Sequence, residues 1–168
     1  MLEFIGKNYK SIIELEEERN SFINFLNKKV DSIKNRINLP EDKMSWIRIW
    51  IYGRRCLVVD FKISDNDKDT IAIDTTYLKD VDNSNSLLLE EGWQIQLFGR
   101  GEDSKKYLEK MCKNDFLRQK QYENDRLIYF SHGIDFGGDS DVEAVSKELK
   151  DLIENIISYK EKIEPTNK

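Results

Sequence analysis

The chain has 168 residues, with 27 Lys or Arg against 32 Asp or Glu and a net charge of −5 at pH 7. At 39% apolar and 11% aromatic residues it has the content of one globular domain of the usual size, about 100–150 residues or slightly more, which excludes a disordered chain and removes any need for a metal or disulfide staple. The acidic balance excludes a general nucleic-acid coat, because such binding relies on an excess of Lys and Arg facing phosphates.

No run approaches the about 18 apolar residues that a membrane-spanning helix needs, so no membrane contact is expected. The opening MLEFIGKNYKS has no apolar segment with a cleavage site, and Cys56 and Cys112 fall in no C-x-x-C pair. Both point to a reducing, cytoplasmic setting. His132 is the only histidine, which leaves no His pair for a metal.

Residues 7–38 predict one long amphipathic helix, with Ile12, Leu15, Phe22, Leu26, Val30, Ile33 and Ile37 at helical spacing. At 1.5 Å per residue it spans about 48 Å. It therefore lies across the whole body, protrudes from it, or breaks near Glu16–Arg19. Arg19 interrupts the apolar stripe, and a polar residue in a helical seam can set oligomeric state. A homo-oligomer through this N-terminal helix is the resulting expectation. Leu39-Pro40 ends the helix, since the residue before proline is pushed out of the α region.

Trp46 to Tyr52 alternates and predicts a strand, with Ile47, Ile49 and Ile51 on one side and Trp46, Arg48, Trp50 and Tyr52 on the other. Gly53-Arg54-Arg55 supplies a turn into a second strand, Cys56 to Ile63. A three-residue loop aligns Ile47, Ile49 and Ile51 with Phe61, Val59 and Leu57 and sets Arg48 opposite Asp60. A one-residue slip would turn the apolar face out. Ser64 to Asp69 reads as an acidic turn, Thr70 to Tyr77 as a third strand, Lys79 to Ser86 as a loop and Leu87 to Glu91 as a short helical turn. Trp93 to Phe98 is a fourth strand. A helix capped by Asp103 or Ser104 runs to about Lys113, burying Tyr107, Leu108 and Met111. Phe116 to Tyr122 reads as a further helical turn and Arg126 to His132 as a fifth strand. A loop leads to a last helix, Asp141 to Ile163, capped at Asp139 and Ser140.

The order α-β-β-β-β-α-β-α defines an α+β fold: a two-layer domain over residues 1–168 with a frayed tail at 164–168. Its five-stranded antiparallel sheet carries the long N- and C-terminal helices packed on one face.

The opposite face is the candidate recognition surface. By alternation it presents Trp46, Arg48, Trp50, Tyr52, Gln94, Gln96 and Arg100, with Asp60, Lys62, Asp74 and Thr76 among them. Trp, Tyr and Arg dominate binding hot spots. No convincing nucleophile, metal-ligand cluster or phosphate loop accompanies them. The leading reading is thus a non-enzymatic protein-binding or regulatory module, of adaptor or inhibitor type, with a protein partner and no cofactor.

Asp60, Lys62 and Asp74 support a rival reading, a metal-dependent phosphodiesterase or nuclease with Mg²⁺ on Asp60 and Asp74 and catalytic help from Lys62. The Asp60-Phe61-Lys62 segment of VVDFK resembles the half-motif of the PD-(D/E)XK nucleases, a likeness confined to residues 7–76. It departs from that pattern in placing Lys62 on the second strand, while Asp74 on the third has no Lys two residues later. Asp65-Asn66-Asp67-Lys68-Asp69 fails the EF-hand test, because Thr70 and Thr76 stand where the calcium loop needs Gly and Glu. His132 and Asp135 lie close enough in sequence for an acid–base pair, although a lone His at a strand end is more often structural.

Overall fold

The computed structural model describes residues 2–39, 41, 45–52, 56–63, 69–79, 91–113, 121–123 and 126–163, with the backbone alone at 2–10, 12, 78–79, 91, 121–123 and 163. The elements are α1 (Leu2–Arg36), β1 (Ile47–Tyr52), β2 (Cys56–Lys62), β3 (Thr70–Lys79), β4 (Glu91–Arg100), α2 (Glu102–Lys113), β5 (Gln121–Glu123), β6 (Arg126–His132) and α3 (Ser140–Ile163). This is the α+β order expected, with one addition. The sheet has the order β1-β2-β3-β4-β6-β5, and the three-residue β5 lies where the sequence suggested the end of a helical turn. The turns at 53–55 and 64–68, the loop at 80–86, the expected turn at 87–90, residues 116–120 and the tail at 164–168 lie outside the described residues.

Strand pairing follows from side-chain alternation. Ile47, Ile49 and Ile51 stand opposite Phe61, Val59 and Leu57, and Arg48 opposite Asp60, the register of the three-residue loop. Every neighbouring pair is antiparallel. One face of each of β1, β2, β3, β4 and β6 enters a single apolar cluster with α1, α2 and α3, including Phe61, Ile73, Trp93, Leu26, Met111 and Leu149. All three helices therefore cover the same face.

The helix α1 is unbroken, so of the three expectations protrusion is the one realised. Residues 14–21 are all exposed, Leu15 at 65%, whereas Leu26, Val30, Ile33 and Ile37 are buried. The polar run Glu16–Arg19 coincides with the stretch that has left the body.

One buried ion pair joins the layers. Lys29 Nζ donates to Asp141 Oδ1 at 2.7 Å and to the Gly138 carbonyl at 2.8 Å. Trp93 Nε1 donates to the other Asp141 oxygen at 2.7 Å. The Asp141 side chain is fully buried and that of Lys29 nearly so. The ammonium also lies 5.1 Å from the Phe25 ring centroid. A buried charge is tolerable only when paired and hydrogen-bonded, and here α1, β4 and α3 each supply a partner.

The loop before α3 is held by Asp135. Its Oδ1 accepts the N–H groups of Gly137 and Gly138 at 2.9 Å each, and its Oδ2 accepts the Ser140 hydroxyl at 2.6 Å. The Ser140 hydroxyl and the Gly137 amide pull the carboxyl down to about 2. Asp135 thus does the side-chain capping expected of Asp139 and Ser140. It does not pair with His132, whose Nδ1 donates to the Gly133 carbonyl at 2.7 Å.

At the other end, Gly101 takes a φ of 88°, a left-handed geometry that suits glycine, and turns β4 directly into α2. Ser104 is inside the helix rather than at its cap, because its hydroxyl bonds back to the Arg100 and Gly101 carbonyls. A Cβ on Gly99 would stand 2.6 Å from the Lys105 nitrogen, so glycine there lets α2 lie against β4.

Removing one partner of a buried pair leaves the other charge uncompensated, typically at about 3–5 kcal/mol. Asp141→Ala is therefore expected to lower the unfolding free energy by about that amount in urea denaturation. Lys29→Met should do likewise, and the double variant should lose less than the sum. A loss for Asp141→Ala no larger than that of a surface substitution would contradict this role.

Candidate functional site

The face opposite the helices, helix-free among the described residues, is laid out by the same register that builds the core. Arg48, Trp50 and Tyr52 of β1 stand opposite Asp60, Val58 and Cys56 of β2. Next come Ala72, Asp74 and Thr76 of β3, then Phe98, Gln96 and Gln94 of β4. Ile128 and Ser131 of β6 stand opposite Gln96 and Gln94. The long side chains lie over the short ones, and Val58, Ala72, Gln94, Gln96 and Ile128 are buried.

Two linked clusters occupy this face. In the first, Trp50 Nε1 donates to Asp60 Oδ2 at 2.8 Å, and Arg100 Nη1 stands 3.4 Å from Asp60 Oδ1. The Arg48 guanidinium lies 5.9 Å from the Trp50 ring centroid, and Tyr52 meets Trp50 edge-on at 5.7 Å. In the second, Arg126 Nη1 donates to Gln96 Oε1 at 3.0 Å and lies 3.7 Å from Asp74 Oδ2. Gln96 Nε2 in turn donates to Gln94 Oε1 at 2.9 Å. Phe98 joins the clusters, with Arg100 and Arg126 at 5.3 Å and 4.8 Å from its ring centroid. The two arginine side chains are 42% and 48% exposed, while those of Asp60 and Asp74 are 14% and 15% exposed. Cations thus form the upper layer and carboxylates the lower one.

The structure revises the expected membership of this face. Trp46 is not on it. That residue lies in the turn before β1, where strand alternation does not yet apply. Its ring packs at 6.2 Å against core-facing Phe61, with Lys160 of α3 5.5 Å from its centroid. Gln94 and Gln96 are on the face but buried, so they position Arg126 instead of offering a surface. Arg48, Trp50, Tyr52 and Arg100 are accessible or partly so, and Lys62 is exposed at one end of the face.

Phe98 and Arg126 join the site without having been expected. Phe98 follows Gln96 by two residues and was within reach of alternation. Arg126 was hidden by an irregularity in β6: Gln96 faces Ile128, but Ile95 faces Phe130, so Tyr129 is an extra residue and parity breaks.

Asp60 and Asp74 lie on adjacent strands, diagonally related through Val58 and Ala72. The Oδ1 atoms of both accept no hydrogen bond, and their remaining oxygens face Trp50 and Arg126. Burial raises the Asp74 pKa above its ordinary value; Arg126 and Arg100 partly offset this, and Asp60 adds to it. Among the described residues no group of three His, Cys, Asp or Glu stands close enough to hold a metal ion. The Cys56 thiol is pushed up to about 12, chiefly by burial and then by the Asp74 charge, which disfavours the thiolate form.

A carboxyl that ionises less readily in the fold than in the unfolded chain lowers stability wherever it is charged. That loss is relieved as pH falls through the raised folded pKa. Asp74→Asn is therefore expected to be more stable than wild type at neutral pH, with an advantage that shrinks as the solution is acidified. Urea titrations across pH measure it, and an Asn variant less stable at neutral pH would contradict the assignment. The chain matches no protein-family model, no curated protein and no solved structure.

Proposed function

We propose that the protein is a non-enzymatic protein-binding or regulatory module that receives its partner on the helix-free sheet face. Arg48, Trp50, Tyr52, Phe98, Arg100 and Arg126 are the residues that would touch that partner. The observation that carries this reading is the placement of Arg100 and Arg126 on Phe98, each half-exposed and each held from below by a carboxylate. An arginine fixed in this way has less side-chain entropy to lose on association. Arg, Trp and Tyr are also the residue types that most often anchor interfaces. Two cysteines left as free thiols fit a cytoplasmic setting, and no described helix is long and apolar enough to cross a membrane.

A second reading keeps Asp60, Asp74 and Lys62 as a Mg²⁺-dependent phosphodiesterase site. The unbonded Oδ1 atoms of the two aspartates favour it. The binding reading stands first because Arg100 and Arg126 already face those same carboxylates, and a metal ion would have to compete with them.

Capture from native lysate, comparing wild type with Arg100→Glu/Arg126→Glu, tests the primary reading. Wild type is expected to retain a specific partner that the double variant loses while its circular dichroism spectrum stays that of the folded chain. A partner set unchanged in the folded double variant would contradict it. Mg²⁺-dependent cleavage of nucleic acid, abolished by Asp60→Ala, would establish the second reading instead.

A further inference from the structure

An open sheet ends in two edges, and each presents unpaired backbone groups. One edge here is β5, only three residues long. The other is β1, six residues of sequence IRIWIY. Natural edges are blunted by shortness, proline, inward charge or a bulge. β1 has no proline, follows regular register with β2 throughout, and carries one charge, on Arg48. Among the described residues no strand pairs with its outer side.

The hydrogen-bonding pattern identifies the groups that face outward. The Lys62 N–H donates to the Trp46 carbonyl at 2.9 Å. In an antiparallel ladder bonded and non-bonded pairs alternate, so Arg48, Trp50 and Tyr52 bond to β2. Ile47, Ile49 and Ile51 then turn their N–H and C=O groups to the open edge. The side chains beside that edge are incompletely covered. Ile49 and Ile51 belong to the core face yet remain only partly buried. A groove of about 260 Å³ between α1 and β1 is lined by Asn27, Val30, Asp31 and Ile51, and the buried Asn27 Oδ1 has no hydrogen-bond partner.

We propose that β1 pairs antiparallel with β1 of a second copy of this chain, across a two-fold axis through Ile49. The strand's own chemistry is self-complementary about that residue. On the helix side, Ile47 meets Ile51 of the partner subunit and Ile49 meets its counterpart. On the opposite side, Arg48 meets Trp50 of the partner subunit. The indole is held by Asp60 at 2.8 Å, and a guanidinium already stacks near it within the chain, so each copy supplies a fixed ring and a cation. Directly opposed cross-strand pairs of this kind are stabilising, whereas like charges opposed are not. An axis through Arg48 would oppose two arginines, and an axis at either strand end would shorten the overlap. The isologous contact joins two sheets into one continuous sheet and closes on itself without forming a fibre.

Sedimentation equilibrium of the full chain, paired with amide hydrogen exchange, tests the proposal. A reversible dimer is expected, in which the Ile47, Ile49 and Ile51 amides gain protection as concentration rises while the core amides do not change. Arg48→Glu, at an exposed position, is expected to weaken association about tenfold with an unchanged circular dichroism spectrum. A strict monomer up to near-millimolar concentration would overturn the proposal. So would a dimer that leaves those three amides at their monomer exchange rate, a result that would place the interface elsewhere, such as on the protruding part of α1. Arg100→Glu/Arg126→Glu lies off this edge, so loss of partner capture and loss of dimerisation are separable.

Discussion

The structure turns on the buried contact of Lys29, Asp141 and Trp93. An isolated ionised carboxylate in an apolar interior is strongly unfavourable, so Asp141 is tolerable only while Lys29 and the indole N–H are both in place. The contact dictates where α1 crosses the sheet, where α3 begins and how β4 sits beneath them. Hydrophobic burial supplies most of the driving force but is non-directional. The ion pair adds direction, because its hydrogen bonds tie α1, β4 and α3 to one another at defined atoms. The Asp135 loop completes the arrangement by presenting the Gly138 carbonyl to Lys29.

Among the described residues, gathering all three helices on one face leaves the other face of the sheet to side chains alone. There the sequence supplies residues long enough to cover a sheet without a helix: Trp50, Phe98, Arg100 and Arg126. Their guanidinium groups need counter-charge at low exposure, and Asp60 and Asp74 provide it from the strands between. The arrangement has an energetic cost at Asp74, whose carboxyl is pushed up by burial. Perturbed carboxylates kept beneath a charged surface are more common at functional sites than in plain scaffolding. The same register that orders this face leaves the β1 edge open, so face and edge are two consequences of one pattern.

Much of the fold is legible in the sequence because the signals are local. Alternating isoleucines fix the β1–β2 register, since any slip by one residue would expose Ile47, Ile49 and Ile51 together. The protrusion of α1 is foreshadowed by a stripe that turns polar at Glu16–Arg19. Where local signals stop, so does legibility. Trp46 lies one residue outside its strand, and alternation assigned it to the wrong face. β5 has three residues and no period to read. Arg126 is concealed by the extra residue Tyr129, and Lys29 and Asp141 are 112 positions apart. Nothing near either one signals that they meet. Most of the candidate face was therefore visible as a pattern, while its electrostatic partnership became visible only in three dimensions.

The face opposite the helices is an ordered Arg–aromatic surface and not a set of mobile side chains. Nitrogen-15 relaxation of the arginine Nε–H groups reads this directly. Arg100 and Arg126, stacked on Phe98 and held by Asp60 and Asp74, are expected to show restricted motion close to that of the backbone. Arg19, on the exposed stretch of α1, should be mobile. Arg100 and Arg126 moving as freely as Arg19 would contradict such an ordered surface.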